Sequence, residues 1–129
     1  EALYIELELG SRFKFLGELA DPRSLLAAAD LGVLPSRGEG LPLCVMEMLS
    51  SGLPVAVSDI PEHAAFSSLS DAVSTFSLGS AEELGSLFDL GQVWREPARR
   101  EHARAQAVER FGFDRMLEEY IQAYERTMR

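Results

Sequence analysis

Three short apolar runs, at residues 31–34, 55–57 and 72–76, are separated by stretches whose apolar residues fall at helical spacing. A strand that is apolar throughout is buried on both faces, and such strands alternating with helices pair in parallel beneath those helices. The pattern predicts an α/β chain with a doubly wound parallel sheet. With 129 residues, 47% of them hydrophobic, the chain reads as a single domain over 1–129. A chain of that length buries about two-thirds of the surface it exposes when unfolded.

Start and stop signals place the helices. Asp21-Pro22 supplies an N-cap oxygen and then a proline whose missing N–H costs nothing at the first helical position. A second helix over 42–51 stops at Gly52, and Pro54 opens the next strand. Residues 60–66 read as a short helix, and the serine-rich 67–70 as a loop. Ser80-Ala81-Glu82-Glu83 is a capping box ahead of Leu84, Leu87 and Phe88. The chain closes with helices over 97–128: an arginine-rich one over 97–110, and one from Asp114 that spaces Leu117, Tyr120, Ile121, Tyr124 and Met128 along one face. Trp94, Tyr120 and Tyr124 are expected to pack. Upstream, 12–16 reads as a strand ending at Gly17. Residues 1–10 alternate as a strand would, whereas Gly10-Ser11 reads as a helix stop.

Charge excludes some partners. The net charge is −9, with 4 basic and 14 acidic residues over 1–93 but 8 and 7 over 94–129. Nucleic-acid binding draws its affinity from Lys and Arg, so this balance argues against it, and it offers no basic face for direct membrane contact. No apolar run approaches the ~20 residues of a membrane span. The single cysteine, Cys44, fits a reducing, cytoplasmic setting and reads as a small core residue.

Two glutamates, Glu39 and Glu47, bracket a junction between loop and helix: Ser36-Arg37-Gly38-Glu39-Gly40-Leu41-Pro42-Leu43-Cys44-Val45-Met46-Glu47. The start of a helix offers unpartnered N–H groups and the positive end of its dipole, both of which favour an anion. Two carboxylates beside an anion site make sense when the ligand is a phosphate carrying hydroxyl-rich groups on both sides, as a nucleotide-sugar does.

Glu39-Gly40-Leu41-Pro42-Leu43-x-x-Met46-Glu47, followed by Gly52-Leu53-Pro54-Val55, resembles the Glu-x7-Glu signature of retaining glycosyltransferases of the GT-B fold, family four. Four flanking pieces agree in order: Phe13-Lys14-Phe15-Leu16-Gly17, the run from Ala28 to Ser36, Ser58-Asp59-Ile60-Pro61-Glu62-His63, and Arg110-Phe111-Gly112-Phe113-Asp114. The likeness covers nearly the whole chain and places the end of a helix at 1–10. It implies the C-terminal, donor-binding half of a GT-B enzyme, one that transfers a sugar, of hexosyl type, from a nucleotide diphosphate sugar to an acceptor hydroxyl.

The resemblance also implies roles. Backbone groups of Gly17, Glu18 and Leu19 would meet the base, and Glu47 the ribose hydroxyls. Glu39, the candidate catalytic residue, would bind the transferred sugar's hydroxyls rather than act as a covalent nucleophile. Ser36, Gly40, Leu41, Pro42 and Leu43 would line the phosphate site, their amides stabilising the leaving charge. No cofactor and no metal is expected, since no Asp-x-Asp occurs and His63 and His102 lie far apart. The family's first donor-domain strand, the Arg and Lys that clamp the diphosphate, and the N-terminal acceptor domain find no match here; the only lysine, Lys14, does not fill that role. The 129 residues are therefore expected to be inert alone. Two alternatives remain open: the nucleotide half of a sugar-nucleotide epimerase, and a non-catalytic Rossmann-like interaction module.

Overall fold

Three parallel strands, β1 (Gly32–Leu34), β2 (Val55–Ser58) and β3 (Val73–Phe76), lie side by side in chain order. The computed structural model describes residues 6–128. Within them the helices are α1 (Arg23–Ala28), α2 (Leu43–Ser50), α3 (Pro61–Leu69), α4 (Ala81–Val93), α5 (Pro97–Phe111) and α6 (Phe113–Thr127). Gly32 sits opposite Val55 and Val55 opposite Val73, so the three apolar runs pair in register. All four residues of β2 are buried, as a central strand between two partners requires. This is the expected α/β, Rossmann-like parallel sheet.

The core gathers Val45 and Leu49 of α2, Val55 and Val57 of β2, Phe66 of α3, Trp94, and Ala103 and Ala107 of α5. α2 packs on β1, β2 and α5, while α3 and α4 pack on β3. The two alanines keep α5 slim where it meets α2, and Gly52 lets it come closer still. A Cβ on Gly52 would stand 2.6 Å from the carbonyl oxygen of Arg100, and the residue's φ of +71° is left-handed. Gly52 also closes α2: its N–H bonds Leu49 O and the next N–H, of Leu53, bonds Met48 O, the two reaches of a Schellman stop.

Local signals for the other helix ends were legible. The Asp21 carboxylate accepts the N–H of Arg23 at 3.0 Å, and Pro22 already has helical backbone angles. At α4, Ser80 Oγ accepts the Glu83 N–H as a capping box should; the Glu83 carboxylate, however, reaches back to the Ser77 N–H.

Three expectations are corrected. Residues 13–20 form no strand: Phe13, Phe15 and Leu16 stay largely exposed, whereas a strand in a parallel sheet is held by cover on both faces. Phe13 and Phe15 meet edge to face instead, at 4.9 Å. The serine-rich 67–70 is mostly helix, α3 running through Leu69, with the hydroxyls of Ser67 and Ser68 turned onto the carbonyls of Ala64 and Ala65 rather than competing for the backbone elsewhere. Trp94 is packed as expected, but Tyr120 and Tyr124 are exposed, and α6 buries no residue among those described. Of the helix end expected over 1–10, residues 1–5 lie outside the described residues, and Glu6 is helical before the chain turns at Leu7 and Glu8.

Candidate functional site

Parallel pairing brings the carboxyl ends of β1 and β2 to the same sheet edge, where ligands collect in folds of this class. The loop over 35–42 leaves β1 there, and Ser58 ends β2 beside it. The Ser58 hydroxyl donates to the Ser36 carbonyl, and the Ser36 hydroxyl donates to a carboxylate oxygen of Glu39. Glu39 is thereby half-buried and held in place, while Glu47, inside α2, is exposed.

Both glutamates act on Cys44. Its thiol is pushed above the ordinary value, first by burial, against the pull of the Val45 N–H, then by the charge of Glu39, against its own N–H, and by Glu47. Both charges are thus felt at the first turn of α2.

The amides between them are not all open. Pro42, at φ −76° and ψ 82°, closes an inverse γ-turn in which the Leu43 N–H bonds Leu41 O at 2.9 Å. The Val45 N–H bonds Pro42 O, and proline has no N–H of its own. Gly40 and Leu41 make no amide hydrogen bond to another described residue. The donor set expected over 40–43 thus narrows to these two, with Leu43 already engaged.

A cavity of about 720 Å³ opens between the approach to α1 and the outer face of α2. Ala20, Asp21, Arg23, Glu47, Ser51 and Arg104 are among its walls. It contains Glu47 but neither Glu39 nor residues 40–43, and Gly17, Glu18 and Leu19 stop just short of its rim at Ala20. The structure therefore divides the expected site residues. Glu47 belongs to the cavity; Ser36, Glu39, Gly40 and Leu41 belong to the adjoining loop.

Arg23 is committed to Asp21, whose carboxyl it holds below the usual range through its side chain and then its N–H. Arg104 makes no ion pair with a described residue. The sequence carried no signal for Arg104, because only the packing of α5 on α2 brings it to the cavity that Glu47 also lines. His63, which follows Pro61-Glu62 in α3, is wholly buried. Among the described residues no three His, Cys, Asp or Glu side chains gather as a metal site.

The family model for glycosyl transferases group 1 matches residues 1–84 of the chain. The chain belongs to that family. No curated protein matches it. In this glycosyl transferases group 1 chain the matched span contains the whole sheet, α2 with both glutamates, Ser58 and His63, and ends inside α4. Arg104 lies beyond it.

Proposed function

We propose that this chain is the donor-binding part of a retaining, GT-B-type glycosyltransferase, which moves a sugar from a nucleotide diphosphate sugar to an acceptor hydroxyl. The observation that supports the reading is Glu39, held by the Ser36 hydroxyl on the loop that leads into α2, together with Glu47 of that helix in the wall of a cavity of about 720 Å³. Carboxylates offer acceptors only, so each suits hydroxyls, and such charge-assisted bonds are the stronger kind. Glu47 takes the ribose; Glu39 takes hydroxyls of the transferred sugar.

Cleaving the bond between sugar and phosphate leaves an oxocarbenium-like sugar and an anionic diphosphate. The N–H groups of Gly40 and Leu41, just ahead of the positive end of α2, favour that leaving charge on this reading. Arg104, projecting into the cavity from α5, adds a cation with no described carboxylate partner. The backbone at Gly17, Glu18 and Leu19 lies towards the base, with Ser36 supporting the phosphate loop. The reaction on this reading needs no metal or cofactor, and it proceeds with departure and attack on one face of the sugar. Acceptor recognition lies in another part of the same protein, so the 129 residues alone turn over no donor.

Titrating UDP-, GDP- and ADP-sugars onto the chain while following amide shifts tests the proposal. One donor should move the signals of Gly40, Leu41 and Glu47 at millimolar concentration, and Glu39→Ala and Glu47→Ala should each weaken the response about tenfold, as loss of one charge-assisted bond implies. No response from any donor in the enzyme that contains this chain would remove the reading.

A further inference from the structure

His63 is wholly buried, and its Nε2 has no hydrogen-bond partner among the described residues. A buried polar atom left this way costs free energy, so a leucine in its place would pack without the penalty. The other ring nitrogen is engaged: Nδ1 lies 2.8 Å from the carbonyl oxygen of Ser58, which can only accept. Nδ1 therefore carries a proton and donates it, and Nε2 is left without a partner among the described residues. Folding alone does not require this bond, since the Ser58 carbonyl already accepts the Ile60 N–H at 2.9 Å.

What the ring does hold is the end of β2, from which a chain of contacts leads outwards. Ser58 Oγ, itself 3.5 Å from Nδ1, donates to the Ser36 carbonyl, and Ser36 Oγ donates to Glu39. The loop over 35–42 has no regular structure of its own. A carboxylate on such a loop is located only as well as the bonds behind it.

We propose that Ser58 and His63 are positioning residues for Glu39, transmitting the rigidity of β2 and α3 through Ser36 to the carboxylate that meets the transferred sugar. The proposal rests on the donor reading given above for what Glu39 contacts, but the linkage itself is independent of any ligand. It accounts for a histidine with an orphaned nitrogen in the core: the ring is kept for its Nδ1–H, and Asn at this position would supply an N–H at a similar place.

The test uses the full chain with His63→Leu, His63→Asn and Ser58→Ala, and two readouts. The first is ligand-free: the carboxyl carbon shift of Glu39 and the amide shifts of Ser36 and Glu39. The second compares affinity for UDP-glucose, GDP-mannose and ADP-glucose with that for UDP, GDP and ADP. His63→Leu should unfold at the same denaturant midpoint as the unsubstituted chain or above it, yet move the Glu39 carboxyl signal. It should weaken the bound nucleotide-sugar about tenfold, the worth of one well-placed charge-assisted bond, and leave the matching diphosphate unchanged. Ser58→Ala should do the same, and His63→Asn should restore both readouts. Glu39 signals unmoved in His63→Leu and Ser58→Ala overturn the proposal, as do equal losses for sugar and sugar-free ligands. If His63→Leu does not fold, Ser58→Ala decides between the same two outcomes. If the unsubstituted chain binds nucleotide-sugars no better than diphosphates, the donor reading falls, and the Glu39 carboxyl signal alone decides the positioning.

Discussion

Cys44 shows how a single residue reports the geometry around it. A thiol in the first turn of a helix is usually made more acidic by the N–H groups there. Here burial and the charges of Glu39 and Glu47 outweigh the Val45 and Cys44 amides, and the thiol is less acidic than usual. Removing either charge should therefore shift its titration to lower pH. We predict that Glu39→Gln and Glu47→Gln each move the pH dependence of iodoacetamide alkylation at Cys44 downwards. An unchanged profile in both variants would mean that neither charge reaches the thiol. Residue-level signals that act through the nearest neighbours are readable in the sequence: Asp21 and Pro22 at α1, Gly52 at the end of α2, Ser80 at α4. Leu43 is not, because whether its amide is open depends on the backbone angles of Pro42, which residue types do not specify.

Between elements, Arg95 and Arg100 tie the end of α1 to the start of α5. Arg95 makes a two-pronged bond to Asp30, both contacts at 2.9 Å, and Arg100 donates to the Ala29 carbonyl at 3.1 Å. Arg95, foremost by this hydrogen bonding, holds the Asp30 carboxyl below its ordinary value of 3.8. A carboxyl whose pKa is lower folded than unfolded contributes stability above the unfolded value and loses it as pH falls through the folded one. Asp30→Asn should accordingly be less stable than the unsubstituted chain at pH 7, and the gap should close below the usual carboxylate range. Urea denaturation at pH 7 and near pH 2.5 measures it, and a gap that persists at the lower pH counts against the pair. Salt should also narrow it at neutral pH, since both partners are exposed. At this scale the strands at Gly32–Leu34, Val55–Ser58 and Val73–Phe76 matched their apolar runs. The expected strand over 12–16 failed because apolar residue types describe only what a strand could bury, not whether anything covers it.

Across the whole molecule, burial separates Trp94 from the last helix. Trp94 is 6% exposed and joins the core, whereas Leu117 and Tyr124 of α6 are 46% and 65% exposed. Trp94→Ala should cost about 3–5 kcal/mol in denaturant unfolding, the range for emptying a buried aromatic site. Leu117→Ser and Tyr124→Ser should each change it by less than about 0.5 kcal/mol, as exposed sites do. Comparable losses at all three would show that α6 is packed. Period and punctuation in the sequence determined the class of fold, most helix limits and the acidic pair, because hydrophobic spacing and capping chemistry act over a few residues. Only the tertiary structure decided that Arg104 and Glu47 line one cavity, that His63 is sealed in the core behind Ser58, and that the α6 stripe lies open among the described residues. Those outcomes depend on which distant surfaces touch, and contacts between remote segments leave no periodic mark on either one.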